Sequence, residues 1–294
     1  YFIQRKKKTE RWEMIMNTHI NGISKKGKVL IYGYMLLTIL ISIFPIAWIF
    51  LSSLKADPMK NPGISLPTDF TLEGYINVFT KLHVFTYFWN SFKVVSISVI
   101  ISIVMISMSS YVIARMEFRG KKLVTSMLYS TLFIPATAMT FPVYRLVNEL
   151  GIYNTPVALI LVYSCSGIAM SFFIIKNYFE IIPKELEEAA EIDGATYAQT
   201  FWKVMLPIAR PGILTAAVLA FINNWNEYYW ASMLVIDKNE LTVPALLGQF
   251  TTSFNTNYNG LFSAIVVIVL PPIILFAFTS KYFIEALGGG AVKG

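Results

Sequence analysis

Six long apolar stretches dominate the pattern of hydrophobic and polar positions along the chain. A helix needs about 20 such residues to cross a hydrocarbon core about 30 Å thick, and each stretch is long enough. The fifth contains one acid, Glu227, and the sixth contains Pro271-Pro272, which predicts a kink. The six predicted spans are Val29–Leu51, Val94–Ala114, Leu123–Tyr144, Gly151–Ile175, Pro211–Ile236 and Leu261–Ser280.

This pattern predicts an all-α, polytopic membrane protein with six transmembrane helices. A β-barrel would alternate apolar and polar residues over segments of about ten residues, and these stretches do not alternate. We predict a basic N-terminal segment over residues 1–28, a six-span transmembrane domain over residues 29–286 and a glycine-rich tail over residues 287–294.

The composition supports a membrane protein. Hydrophobic residues make up 55% of the 294 positions and charged residues only 14%, against about 25% charged residues in an average soluble domain. So few charges could not cover the surface of a soluble protein of this size. The single cysteine, Cys165, excludes an intramolecular disulfide and a multi-cysteine metal site. The two histidines, His19 and His83, are not expected to form a site.

The positive charges predict the orientation of the chain. It carries 24 Lys and Arg against 17 Asp and Glu, a net charge of +7. Eighteen of the 24 lie in the segments that an even number of spans would place on one side, with both termini. The positive-inside rule makes that side the cytoplasm. Topology explains the positive charge, so no nucleic-acid partner is expected. The run Arg5-Lys6-Lys7-Lys8 either binds anionic membrane lipid or serves only as a topology signal.

The segment between the fourth and fifth spans differs from the other loops because it is rich in acids. Pro183 suits the first position of a helix and Gly194 suits the residue just past its end. We therefore predict a helix of about ten residues. Its acids Glu185, Glu187 and Glu191 are expected to form a solvated face. Four residues are expected to share one face of low relief: Leu186, Ala189, Ala190 and Asp193.

A second amphipathic stretch follows Gly194 and ends at Leu206-Pro207. The residues expected to share its apolar face are Tyr197, Phe201, Val204 and Met205. The residues alone leave two alternatives open. The segment is either a re-entrant loop packed on its own bundle or a surface on which another protein docks.

The order Glu188-Ala189-Ala190, then Gly194, then Leu206-Pro207 resembles the EAA signature of the membrane subunits of ABC importers. The context Asp193-Gly194-Ala195-Thr196 is similar to that of carbohydrate permeases of the maltose-transporter type. The six spans, the pair Asn226-Glu227 and the tail Gly288–Gly294 are similar to the smaller of the two membrane subunits. The resemblance covers nearly the whole chain beyond the leader, and it does not carry the identity of the substrate.

The resemblance implies a pore-forming permease subunit of the bacterial or archaeal plasma membrane rather than an enzyme. The EAA helix would be a coupling helix, in which Glu188 meets an arginine of a cytoplasmic ATPase. Ala189, Ala190 and Gly194 would permit the close fit and the turn. The implied partners are a second homologous permease subunit, two copies of the ATPase, an extracytoplasmic solute-binding protein and a sugar. ATP and Mg²⁺ would bind the ATPase, and no cofactor is expected in this chain, which lacks a G-x-x-x-x-G-K-[ST] loop. The glycine-rich tail would reach toward the ATPase, although such a tail could equally be disordered.

The fifth span contains the candidates for the substrate path. Asn223, Glu227 and Trp230 would share one helical face at i, i+4 and i+7. An acid inside a membrane usually faces a cavity, and aromatic rings beside amides suit a sugar. Alternatively, the aromatic residues form a belt at the outer membrane interface. The candidate residues are Asn223, Asn226, Glu227, Tyr228 and Trp230. By resemblance the external loop Asp237–Asn259 would touch the binding protein; otherwise it is only a polar loop.

Three competing functions remain at this stage. An importer permease for another class of solute would differ only in its substrate. An ion-coupled secondary transporter could use Glu227, but such folds commonly have internal repeats and more spans. A membrane enzyme is disfavoured because no Ser/His/Asp, Cys/His or metal-ligand spacing is found in the sequence.

Overall fold

The computed structural model describes residues 24–60, 62–80, 84–250 and 257–290. The predicted all-α class is confirmed, since within these ranges β pairing is limited to one isolated bridge between Lys55 and Phe70. The predicted basic run and both histidines lie outside the described residues, as do residues 291–294, the second half of the predicted glycine-rich tail. The first helix begins at Lys25 and the last ends at Gly290, so both extend past the predicted bounds of the transmembrane domain.

The helices of the described chain are numbered in order. They are α1 (Lys25–Ser53), α2 (Glu73–Thr80), α3 (Val84–Arg115), α4 (Lys121–Ser130), α5 (Thr140–Glu149), α6 (Pro156–Ser164), α7 (Ile168–Ile181), α8 (Glu185–Ile192), α9 (Tyr197–Thr200), α10 (Leu206–Ile208), α11 (Arg210–Trp225), α12 (Tyr229–Leu234), α13 (Val243–Leu246) and α14 (Tyr258–Gly290). Shorter turns complete this set: 3-10 turns at Thr131–Phe133, Ala136–Met139 and Leu247–Phe250, and a π-turn at Phe201–Met205.

Three helices of the described chain, α1, α3 and α14, are long and apolar enough to cross a membrane singly. The number rises to six if each of three sharply bent helix pairs counts as one span. The predicted kink at Pro271-Pro272 does not interrupt α14, which continues through both prolines. The third, fourth and fifth predicted spans are each divided into two helices.

Local backbone chemistry explains two of the breaks. The third span consists of Lys121–Phe133 and Ala136–Glu149, bent by 102°. Ile134 is extended between them because the following Pro135 disfavours helical backbone. The fourth span bends by 47° before Ile168–Ile181, where Gly167 adopts a left-handed φ of +64°.

Helix α3 lies at the centre of the packing, in contact with α6, α7 and α11. The first half of α3 belongs to one apolar core, which also contains residues of α6 and of the helices from α11 through α14. Its last three turns join a second core with α7 and the residues that follow α8. The second core includes Phe172, Phe179 and Met205, all fully buried. The acid-rich segment is therefore attached to the bundle through the end of α3.

Candidate functional site

Helix α8 carries the Glu188-Ala189-Ala190 motif and ends as the sequence predicts. The Ala195 N–H donates to the carbonyl of Ala190 at 2.9 Å, and the Gly194 N–H donates to the carbonyl of Glu191 at 3.0 Å. This pair of bonds is a Schellman motif, which requires a left-handed residue just past the helix. Gly194 supplies it with a φ of +79°.

The predicted start of this helix was wrong. The helix has eight residues and begins at Glu185, so Pro183 precedes it. The carbonyl of Pro183 accepts a hydrogen bond from the Leu186 N–H, and the carbonyl of Lys184 accepts from the N–H of Glu188. Pro183 and Lys184 therefore form the turn that leads into α8 instead of its first helical turn.

The exposed face of α8 also differs from the predicted one. Ala190 is buried against the bundle, whereas Ala189 and Glu188 are exposed. Ile192 is 86% exposed, an unusual degree for an isoleucine in a folded chain. The face available to another protein is thus formed by Glu188, Ala189 and Ile192, which we call the exposed α8 face. The predicted face was wrong at Ala190, because that residue is buried against other parts of its own chain.

The expectation that Glu187 belongs to a solvated face was wrong. Its Oε2 lies 3.3 Å from Nε of Arg115, the last residue of α3, and the two side chains are only 19% and 7% exposed. A second guanidinium nitrogen, Nη2, donates to the carbonyl of Ile182 at the end of α7. Arg115 therefore holds the end of α3 against both α7 and α8.

The stretch after Gly194 begins with a capping box. The Gln199 N–H donates to Thr196 Oγ1 at 3.3 Å, and the Thr196 N–H donates to Gln199 Oε1 at 2.9 Å. The helical stretch that follows, Tyr197–Ile208, consists of α9, the π-turn and α10, and it meets α11 at an angle of 76°. Leu206 and Pro207 lie in its last turn, so the chain turns into the membrane after the predicted motif ends.

The apolar face predicted for this stretch is present in its second part only. Phe201 and Met205 are buried, but Tyr197 is 70% exposed. The ring of Tyr111 in α3 contacts Phe201 and Phe179, with centroids 5.2 and 5.5 Å apart. The aromatic cluster of Tyr111, Phe179 and Phe201 therefore packs beneath α8.

A cleft of about 410 Å³ opens between α8, the start of α9 and the end of α3. Its lining includes Tyr111, Arg115, Lys184, Glu188, Glu191 and Tyr197. In the loop after α3, outside the residues that line this cleft, a hydrogen bond from Lys121 lowers the pKa of the Glu117 carboxyl below its ordinary value. No cluster of three or more potential metal ligands occurs in the described residues.

The candidates in the fifth span do not share a helical face, because α11 ends at Trp225. Glu227 lies in the break before α12. Its carboxylate accepts hydrogen bonds from the Trp230 N–H at 3.0 Å and the Ala231 N–H at 3.2 Å, and from the Tyr163 hydroxyl at 2.9 Å. Glu227 thus caps the N-terminus of α12, where a negative charge is favourable.

The other substrate-path candidates have different surroundings. Trp230 is buried in the first core. Asn223 is exposed and donates to Ser166 Oγ at 3.3 Å, while Asn226 is exposed and donates to the carbonyl of Ile222 at 2.9 Å. Tyr228 is 49% exposed. Contact of any of these residues with substrate stays a prediction.

Sequence reasoning missed the roles of Arg115 and Tyr163. Arg115 was counted only as a topology charge at the end of a span, and Tyr163 only as part of an apolar run. The sequence offered no signal for the first. Glu187 and Ala190 are three residues apart and share a helix face, so burial of Ala190 carries Glu187 inward as well, but only the structure shows that Ala190 is buried.

The chain has clear relatives among membrane transport proteins. Residues 106–287 match the family described as binding-protein-dependent transport system inner membrane component. The probable ABC transporter permease protein YurM of Bacillus subtilis is 30% identical over 99% of both chains. The arabinooligosaccharides transport system permease protein AraQ of Halalkalibacterium halodurans is 34% identical, over 86% of this chain and 92% of AraQ.

A solved structure supports the same assignment. The match is a chain in the crystal structure of a bacterial ABC transporter involved in the import of the acidic polysaccharide alginate. The TM-score is 0.75 at 25% identity, covering 89% of this chain and 99% of that one. The chain therefore belongs to the family of inner membrane components of binding-protein-dependent transport systems. It is an ABC permease subunit, not an enzyme.

Proposed function

We propose that this subunit forms half of the translocation path of an ATP-driven importer for a sugar or oligosaccharide. It couples to a cytoplasmic ATPase through α8. The observation that carries the coupling role is the exposed α8 face, where Glu188, Ala189 and Ile192 project from a helix whose opposite side is packed on the bundle. A helix attached on one side and presenting an exposed isoleucine, an alanine and an acid on the other is suited to dock in a cleft of a second protein.

The sugar specificity is inferred from the relatives. AraQ is named for arabinooligosaccharide transport, and the structural match comes from an alginate importer. Carbohydrates of different size are thus handled by similar chains. Asn223, Asn226 and Tyr228 are exposed at the break in the fifth span and could supply amides and an aromatic ring to hydroxylated substrates.

The proposed assembly contains a second homologous permease subunit, two copies of the ATPase and an extracytoplasmic binding protein. ATP and Mg²⁺ bind the ATPase subunits, and this chain holds no cofactor. Both termini lie in the cytoplasm, because α8 and the basic segments must face the ATPase side. Lipid surrounds α1, whose apolar residues are largely exposed in the single chain.

The test is reconstitution of the assembled complex in lipid vesicles. We expect ATP-dependent sugar uptake and ATP hydrolysis stimulated by the sugar-loaded binding protein. The binding protein's thermal stability against a panel of sugars identifies the substrate, because a ligand raises the stability of the state it binds. Solute uptake by this chain alone, driven by an ion gradient, would contradict the proposal.

A substitution tests the role of α8. We expect Glu188→Ala to lower uptake about 10-fold or more, since a hydrogen bond to a charged group is worth about 1.5–3 kcal/mol. The matched control is Glu117→Ala, which removes another exposed carboxylate, one outside α8. Unchanged uptake in the Glu188 variant would count against α8 as the docking element.

A further inference from the structure

The end of α3 contacts the chain before, within and after the coupling helix. Arg115 binds the carbonyl of Ile182, which precedes α8, and pairs with Glu187 inside it. One turn earlier, Tyr111 packs against Phe201, which follows α8.

This attachment matters because α8 has little stability of its own. Isolated helices shorter than about 12–15 residues are marginal in water, and α8 has eight residues. Ile182 before it has an extended backbone, and Gly194 after it is left-handed. A short helix between two non-helical joints would rotate against its neighbours unless a side-chain contact prevented it.

We propose that Arg115 is a positioning residue that transmits movement of α8 to α3 through its ion pair with Glu187. The inference rests on the proposed function and deepens it. Helix α3 spans 32 residues, or about 48 Å at 1.5 Å per residue, and is continuous from end to end. A displacement of α8 passed to Arg115 therefore moves a whole span, whereas a loose α8 would absorb it.

The ion pair is largely buried. The Arg115 side chain is 7% exposed, and within the described part of the chain neither Arg115 Nε nor Glu187 Oε1 has a hydrogen-bond partner, so the contact at this end is an attraction between two charges. Removing one member of such a pair leaves the other charge buried without compensation. The pair thus favours one placement of α8 over others, which an exposed pair would not do.

The experiment compares Glu187→Gln and Glu187→Asp with wild type in the complete reconstituted complex. The matched control is Glu180→Gln, which removes the ion pair of Glu180 with Lys176 within α7. Two quantities are measured: sugar transported per ATP hydrolysed, and amide hydrogen exchange of residues 185–192. A structural defect alone would lower the amount of assembled complex without changing the ratio.

We expect the transported-to-hydrolysed ratio to fall in the order wild type, Glu187→Asp, Glu187→Gln, by about threefold or more for the last. Exchange of α8 should accelerate in the same order, while Glu180→Gln resembles wild type. If Glu187→Gln does not assemble, the test rests on Glu187→Asp, because aspartate keeps the charge but its shorter side chain lengthens the contact with Arg115. The proposal is overturned if the more disruptive of the Glu187 variants that assemble shows the wild-type ratio of sugar transported to ATP hydrolysed, or the wild-type hydrogen exchange of residues 185–192.

The same data separate this proposal from the broader one. Absence of ATP-dependent sugar uptake in the wild-type complex would contradict the proposed function, and hydrogen exchange would still decide whether Glu187 holds α8. Normal wild-type uptake with insensitive Glu187 variants would leave the function intact and reject only the positioning role of Arg115.

Discussion

Substitution of Gly194 is the most direct test of how α8 ends. Its φ of +79° lies in the left-handed region, where a side chain costs roughly 1–2 kcal/mol. A Cβ built at this position has no heavy atom within 4 Å, so the cost of Gly194→Ala is conformational and not steric. The two closing hydrogen bonds, Ala195 to Ala190 and Gly194 to Glu191, depend on that backbone conformation.

We expect Gly194→Ala to reduce the population of the native helix end by about 5- to 30-fold relative to alternatives, which is what 1–2 kcal/mol corresponds to. Sugar transported per ATP hydrolysed should fall while the protein still inserts. Gly194→Asn should be milder, because asparagine tolerates left-handed backbone. The assay is the ratio of uptake to ATP hydrolysis in reconstituted complexes.

Gly151 provides the control for this experiment. Its φ is +68° and a built Cβ there also has open space, but it lies in the turn between α5 and α6. Gly151→Ala should therefore cost similar stability without uncoupling. Equal uncoupling by both alanine variants, or none in Gly194→Ala, would refute the reasoning. Full transport in Gly194→Pro, which also removes the N–H bonded to Glu191, would reject α8 as a coupling element.

Two further predictions concern packing. Glu227→Gln should lower the free energy of unfolding in detergent by about 1–2 kcal/mol, because it weakens the cap of α12 and the hydrogen bond from Tyr163. An altered KM for sugar with unchanged stability would instead indicate that Glu227 contacts the substrate. Gly212→Ala should destabilise by about 1–3 kcal/mol, since its Cβ would lie 2.2 Å from the Tyr178 ring. The double variant Gly212→Ala/Tyr178→Ala should recover part of that loss, and no recovery would argue against the clash.

The polytopic, helical class was predictable because the requirement for about 20 apolar residues acts locally. The shape of those passes was not. The run Leu123–Tyr144 contains no charged residue, yet two helices there meet at 102°. The hydrophobicity of a segment reflects the free-energy cost of exposing it to water and carries no information about the direction of its backbone, so it cannot distinguish a straight span from a bent one.

The site was predictable where chemistry is local. The turn at Gly194 follows from backbone sterics at a helix end, whereas the docking role of Glu188 stays a prediction. Ala190 and Glu187 were misassigned because burial depends on which neighbour approaches. Glu187 contacts Arg115 of α3, which lies 72 residues earlier in the chain.

The sequence alone therefore determined the class of protein, its long apolar stretches and the turn that ends α8. Each depends on hydrophobicity or on the conformational range of one residue. Only the tertiary structure decided that Glu227 caps a broken span and that Arg115 holds Glu187. The Arg115–Glu187 pair and the Tyr163–Glu227 hydrogen bond join residues distant in the chain, and each is favourable only when the fold brings both partners close together. The cap itself is local, but it forms only where the fold breaks the span between α11 and α12.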